Sequence, residues 1–368
     1  MKGQPKINMS SQTATIIVGT GSCIPTERIP NSYFLDHKFY DENGELFERP
    51  PAEIIEKFQA ITGIDERRYV SDDLNTSDIA FDASRDALES SNTDKESLDY
   101  IVVAHNFGDV AVNNRRSDLV PSIAGRIKHK LRIRNPNTVC YDLPFGCPGW
   151  LQGLIQTDYF IRSGDAKRAL VVGAEVLSRI SDPHDRDSMI YADGAGACVV
   201  EGVKSEVPVG ILAHAARSDT YEHAHMLQMG NSYNPDFEGN DLFLKMQGHK
   251  LYEYALRTVP RVVRDCVVKA GLTITDISKV LIHQANAKMD DAILKRLFKL
   301  FGDDPAPEWT MPMTISWLGN SSVATLPTLL DLIFKKKLNN HRLESGETVA
   351  FASVGAGMNV NALIYRMP

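Results

Sequence analysis

The sequence predicts an α/β protein with extensive sheet, and three observations carry that reading. Short apolar runs rich in β-branched residues alternate with longer segments of helical periodicity along almost the whole chain. The alternation pauses at residues 202–208, where charged and small residues and a proline interrupt the apolar runs, and then resumes. The 368 residues, 43% of them hydrophobic, suffice for two domains or two fused halves of roughly 150–200 residues each. The expected division is 1–205 and 206–368.

The elements follow in order. Residues 13–18 read as a strand ending in a turn at Gly19-Thr-Gly21. Residues 36–51 are charged and loop-like, with a turn at Glu42-Asn-Gly44. Helices are expected over 53–60, 76–89, 122–131 and 151–163, the last closed by Gly164. Strands are expected over 100–104, 168–173 and 196–200. In the second half the pattern predicts helices over 250–270, 287–298 and 326–334. Strands are expected there over 279–282, 348–352 and 359–365.

Composition narrows the function. A net charge of −7 argues against a general nucleic-acid binder. The polar start, Met1 to Lys6, is no signal peptide, and no run approaches the roughly 18–20 apolar residues of a membrane span. Five cysteines (Cys23, Cys140, Cys147, Cys198, Cys266) form no disulfide framework, so a reducing cytoplasm is expected and no membrane association. The triplets at Asn8, Asn75 and Asn320 match a glycosylation site only in form. Gly19-Thr-Gly21-Ser-Cys-Ile24 lacks the third glycine of a dinucleotide fingerprint, and no Walker loop or metal signature occurs. His223-Ala-His225 and Asp182-Pro-His184-Asp185 are weak ligand candidates in polar surroundings. No metal and no cofactor is expected.

Three residues stand out for chemistry. Cys147 follows Gly146 and precedes Pro148-Gly149 at the start of a helical segment, where unpaired N–H groups and the helix dipole favour a thiolate. A buried, inert thiol is the plainer reading of it. His283 ends a strand and opens a loop, the place where α/β proteins gather their active sites, although taken alone a structural histidine is the plainer reading. Asn320 lies between Gly319 and Ser321, where a simple helix cap would also account for it. The small-residue turn at Cys147 and the one at Asn320 are 173 residues apart, nearly half the chain.

Taken together, Asp142-Leu-Pro-Phe-Gly-Cys147-Pro-Gly, Ile282-His283-Gln-Ala-Asn286 and Gly319-Asn320-Ser-Ser resemble the Cys–His–Asn constellation of the β-ketoacyl-ACP synthase III family, within the thiolase superfamily. Thr62-Gly-Ile64-Asp-Glu-Arg-Arg68, Ala192-Asp-Gly194-Ala-Gly196-Ala, Lys245-Met-Gln-Gly248 and Val354-Gly-Ala-Gly357-Met358 extend the likeness end to end.

The resemblance implies a thiolase-like five-layer αβαβα fold of two similar halves, acting as a homodimer. It implies that Cys147 accepts an acyl group from acyl-CoA or acyl-ACP. A malonyl thioester, malonyl-ACP by the family's habit, then condenses with loss of CO₂, assisted by His283 and Asn320. The oxyanion hole would be the backbone N–H groups of Cys147 and Ala356, an alanine where the family has glycine.

Departures bear on the substrate. Lys57-Phe58-Gln59 lacks the tryptophan that stacks on adenine in CoA-using members, the 36–51 stretch is insertion-like, and Pro148-Gly149 is unusual after the nucleophile. Phe107, Phe145, Trp150 and Met358 are candidates for an acyl pocket, with core packing the alternative for each. Arg115, Arg116 and 66–68 are candidates for holding an anionic group. Pure acyl transfer, head-to-head condensation of two acyl thioesters, a specialised condensing enzyme of secondary metabolism and a non-catalytic partner subunit stay open.

Overall fold

The computed structural model describes residues 12–302 and 305–368; the polar start and the Asn8 triplet lie outside them. Two sheets form the frame. The first contains β1 (Gln12–Cys23), β2 (Tyr100–His105), β3 (Val139–Pro144), β4 (Arg168–Val176) and β5 (Asp193–Ser205), in the spatial order β1-β5-β4-β2-β3. The second contains β6 (Gly210–Ser218), β7 (Lys279–Ile282), β8 (Thr348–Gly355) and β9 (Asn359–Arg366), in the order β6-β9-β8-β7.

The pairings repeat between the sheets. β1 runs antiparallel to β5, β5 antiparallel to β4, and β4 parallel to β2. Likewise β6 runs antiparallel to β9, β9 antiparallel to β8, and β8 parallel to β7. Two halves of one design are therefore present. β5 ends at Ser205 and β6 begins at Gly210, whose positive φ of 70° and lack of a side chain let the link pass the Thr15 carbonyl, which a Cβ would meet at 2.1 Å.

Helices complete five layers. α1 (Thr76–Ser90) and α2 (Ile123–Lys130) cover the outer face of the first sheet, burying Ile79, Ala83, Ile123 and Ile127 against Ile101, Leu170 and Val199. α4 (Gly248–Lys269) and α5 (Ala287–Lys299) cover the outer face of the second. Between the sheets lie α3 (Gly149–Ser163) and α6 (Thr325–Phe334). Their Trp150, Leu154, Leu326 and Leu330 pack on Val171 and Val200 from one sheet and on Leu281, Phe351 and Leu363 from the other. A helix caught between two sheets has no solvent face, and all residues of α6 from Thr325 to Ile333 are buried.

Several local readings change. Gly19-Thr-Gly21 is no turn: β1 continues through it to Cys23. Its glycines are there for contact with α1, since a Cβ on Gly21 would stand 2.3 Å from the Ala83 carbonyl oxygen. The strands β3 and β6 also escape the alternation pattern. Both lie at sheet edges, where Asp142 and the polar end of β6 dilute the apolar run.

Candidate active site

The link between β3 and α3 presents Cys147. β3 ends at Pro144, Gly146 takes φ 71°, and the Gly149 N–H closes the turn on the Gly146 carbonyl at 2.9 Å. No side chain caps α3. The link between β8 and β9 comes up against the same point. A Cβ on Gly355 would meet the Cys147 nitrogen at 2.6 Å, and one on Gly146 would meet the Ala356 nitrogen at 2.9 Å. The two amides expected to form an oxyanion hole thus lie side by side. Among the described residues, no turn or loop hydrogen bond engages either of them. Ala356 does not have a positive φ, so alanine in place of glycine adds no strain there.

Asn320 reaches the same place from the other half. Its main chain is pinned to the loop before β5: Asn320 N–H donates to the Ile190 carbonyl at 3.0 Å and Ala192 N–H to the Asn320 carbonyl at 2.8 Å. Gly319, at φ 68° and ψ −164°, makes a bend open only to glycine. Asn320 is not a cap of α6, which starts five residues later. Its Oδ1 accepts the Ser322 N–H at 2.8 Å, which leaves its Nδ2 without an acceptor among the described residues. The Gly194 and Gly196 motif admits this loop and the start of α6: a Cβ on Gly194 would come within 3.3 Å of the Ser321 Cβ, and one on Gly196 would strike the Thr328 nitrogen at 2.6 Å.

The His-Gln-Ala-Asn motif resolves into separate jobs. His283 follows β7 and is buried, with Nδ1 unpartnered. Burial lowers its pKa to about 4, although a hydrogen bond to the Ser322 main chain opposes this, so the ring is neutral near pH 7. Gln284 clamps the segment leading to Asn320: its Nε2 donates to the Pro312 carbonyl at 2.8 Å, and its Oε1 accepts the Thr314 and Ile315 N–H groups at 2.8 and 3.0 Å. Asn286 caps α5, accepting the Met289 N–H at 3.0 Å.

The thiol itself departs from expectation. Burial pushes its pKa up to about 11, with Glu175 adding to the rise, while the Ser322 hydroxyl 3.3 Å from Sγ and the residue's own amide pull the other way. Desolvation outweighs the helix start, and the resting residue is a thiol. The other four cysteines are packed: Cys198 and Cys266 are buried, and Cys23 and Cys140 lie against the outer core of the first half.

Other sequence candidates settle elsewhere. Trp150 and Met358 pack in the hydrophobic cores. Phe107 packs in a small cluster with Ile64, Tyr191 and Ile315, and Phe58 borders the same cluster. Arg67 is wholly buried, donating to the Ile29 carbonyl and to Asn31, and Arg115 pairs with Asp241. His223 ends a four-residue helix, and no metal-binding cluster occurs among the described residues. Asp182 and Asp185 instead hold the buried Lys245 at 2.6 and 3.2 Å, joining two motifs read separately in the sequence.

Comparison with known proteins agrees with this arrangement. Residues 141–220 match the family profile of 3-oxoacyl-[acyl-carrier-protein (ACP)] synthase III, and residues 267–367 match the profile of its C-terminal part. The chain belongs to the 3-oxoacyl-ACP synthase III family. The two matched segments hold Cys147 on one side and His283, Asn320 and Ala356 on the other.

Among solved structures of the family, the 3-oxoacyl-[acyl-carrier-protein] synthase III from Aquifex aeolicus is 27% identical. It superposes at a TM-score of 0.76, covering 96% of this chain and 99% of its own. The synthase III from Thermus thermophilus is also 27% identical, with a TM-score of 0.78 and the same coverage. The priming β-ketosynthase of the R1128 polyketide biosynthetic pathway is 25% identical over 99% of both chains, at 0.78. The thiolase-like five-layer fold is thus shared with this condensing-enzyme family.

Proposed function

We propose that the chain loads an acyl group on Cys147 and condenses it with a malonyl thioester, with loss of CO₂. The observation that carries this reading is the meeting of a thiol, two amides that no turn or loop hydrogen bond engages, a neutral imidazole and a free carboxamide donor at one point between the halves. The division of labour falls at 1–205, with the nucleophile, and 206–368, with His283 and Asn320.

In the first step the Cys147 sulfur attacks the thioester carbonyl of acyl-CoA or acyl-ACP. The oxyanion is held by the Cys147 and Ala356 N–H groups, and the carrier departs as a thiol with the proton that Cys147 loses. In the second step malonyl-ACP loses CO₂. The electron pair of the broken C–C bond becomes an enolate, whose oxygen accepts from His283 and the Asn320 amide. A neutral histidine suits this role, since it donates without supplying a proton that would quench the carbanion. The carbanion then attacks the acyl carbonyl and frees Cys147, giving a β-ketoacyl thioester. Family habit supports a homodimer with acyl carrier protein as partner. No helix among the described residues is long and apolar enough to cross a membrane.

A second reading, a specialised condensing enzyme, draws on the likeness to the polyketide priming β-ketosynthase and on the Lys57-Phe58-Gln59 stretch, which lacks the tryptophan of CoA-using members. Intact-mass spectrometry with a panel of acyl-CoA and acyl-ACP donors tests both. The expected result is an acyl adduct on Cys147, discharged only by malonyl-ACP with release of CO₂. Discharge without CO₂ release would indicate pure acyl transfer, and the absence of any adduct would overturn the proposal.

A further inference from the structure

Beside the thiol lies a chain of side chains that the condensation scheme does not use. Glu175 on β4 is fully buried, and its Oε2 accepts the Asn106 N–H at 2.9 Å and the Asn106 side-chain Nδ2 as well. Asn106 Nδ2 also lies 3.2 Å from Ser322 Oγ, and Ser322 Oγ lies 3.3 Å from Cys147 Sγ.

With Glu175 ionised, the order of donors in this chain is fixed. An amide NH₂ has two protons and no lone pair to offer, so Nδ2 gives one proton to Glu175 and the other to Ser322 Oγ. Turning the Asn106 amide over would set its oxygen against a carboxylate. Ser322 Oγ, already accepting from Asn106, has a single proton left, and the remaining neighbour for it is the sulfur. The backbone around Ser322 points the same way. Its φ is 53°, a left-handed conformation that costs a non-glycine residue about 1 kcal/mol or more and recurs at functional sites. Its N–H holds Asn320 Oδ1 at 2.8 Å, so one residue ties the carboxamide to the thiol.

We propose that Ser322 is a positioning residue for Cys147, its hydroxyl committed as a hydrogen-bond donor to the sulfur by Asn106 and Glu175, so that this chain sets how readily the thiol ionises. The assignment rests on Cys147 as the acyl-accepting residue. Beside this donor, the residue's own amide is the other group that favours a thiolate there. The charged and titratable groups that bear on Cys147 are Glu175 from β4 and Tyr191 from the loop before β5. His105 from β2 bears on Glu175. Its Nδ1 accepts the Gly108 N–H, which leaves its proton on Nε2, 3.0 Å from Asp142.

The test is the rate of Cys147 alkylation by iodoacetamide as a function of pH, on the full chain, with the modified residue located by peptide mapping. Ser322→Gly suits the positive φ and removes the hydroxyl together with its Cβ. It is expected to slow alkylation near pH 7.5 by about 10-fold or more and to move the midpoint up by about one pH unit. Asn106→Asp keeps a polar partner but replaces the donor by an acceptor. It should draw the Ser322 proton away from the sulfur and slow alkylation to the same extent. The double variant should lose no more than Ser322→Gly alone, because both act through one hydroxyl.

A Ser322→Gly profile superimposable on that of the unmodified chain would overturn the proposal, and so would an Asn106→Asp profile unchanged from it. Alkylation needs no acyl donor. A chain that shows these shifts yet takes up no acyl group from any thioester would refute the proposed function and leave this inference standing.

Discussion

Gly355 lies so close to Cys147 that a Cβ built on it would stand 2.6 Å from the Cys147 nitrogen and 2.9 Å from its own Cβ. The φ of Gly355 is −167°, which any residue can adopt, so glycine is required here for space alone. The contact brings the β8–β9 link, and with it the Ala356 amide, onto the nucleophile. Gly355→Ala is expected to push that link away and misplace one of two oxyanion donors. Acyl-enzyme formation should fall by about 10²–10³-fold. Iodoacetamide, which forms no oxyanion, should still modify Cys147 at a rate within a few-fold of normal. Parallel intact-mass time courses with an acyl-CoA and with iodoacetamide check this.

Asn320→Ala removes the Nδ2 donor while Cys147 and its two amides stay in place. Loading of the acyl group should persist within a few-fold, and the CO₂-releasing step should slow by about 10²–10³-fold. Single-turnover measurements of adduct formation and of its discharge by malonyl-ACP separate the two. Equal losses in both steps would remove Asn320 from the condensing role.

Much of this site was legible in the sequence, and the reason is physical. Cys147, His283 and Asn320 each follow a glycine turn or a strand end, which are local signals. Their convergence depends on two sheets repeating one pairing pattern, which the half-chain spacing hinted at. Asn106 and Glu175 gave no such signal. Nothing in the stretch from Ala104 to Phe107, or from Ala174 to Val176, marks them until β2 and β4 are seen as parallel neighbours that bring the two residues together. Nor does sequence reveal desolvation. The helix start argued for a thiolate, and only the packed surroundings show why the thiol keeps its proton. Trp150 and Met358 illustrate the same limit in reverse, since their proximity to Cys147 and Ala356 along the chain suggested a pocket and their side chains turn into the cores.

Glu175 makes stability depend on pH with a definite sign. Burial raises its pKa to about 7, against 4.5 in an unfolded chain. Between those values the folded state binds the extra proton, so this residue's contribution to stability is intact below about pH 4.5 and is lost as pH rises through 7. Glu175→Gln removes the ionisation. The variant should be more stable than the unmodified chain at pH 8, by up to about 3 kcal/mol, and gain little at pH 5. Urea unfolding at both values measures the difference. His283 acts in the opposite sense: with a folded pKa of about 4 against an ordinary 6.5, it withdraws stability as pH falls through that interval.

Lys245 is buried between Asp182 and Asp185, with its ammonium 3.3 Å from the centre of the Tyr233 ring. Lys245→Met would leave two carboxylates without their cation in a site that excludes water. A loss of about 3–5 kcal/mol is expected at pH 7, shrinking in mild acid as the carboxylates take up protons. Chemical denaturation at pH 7 and at pH 5 tests both parts, and an equal loss at the two values would show that packing, not charge, is what Lys245 supplies.

The middle layer of the molecule can be read as a caliper. One jaw, α3, carries the thiol at its tip, and the other, α6, follows the loop that carries the carboxamide; each is gripped by both sheets. A substitution deep in that layer, far from any substrate atom, can leave both halves well folded and still alter the gap between the tips. A displacement of about 1 Å there is enough to cost about 100-fold in rate. Activity should therefore respond to the volume of Leu154, Leu326 and Leu330 before stability does.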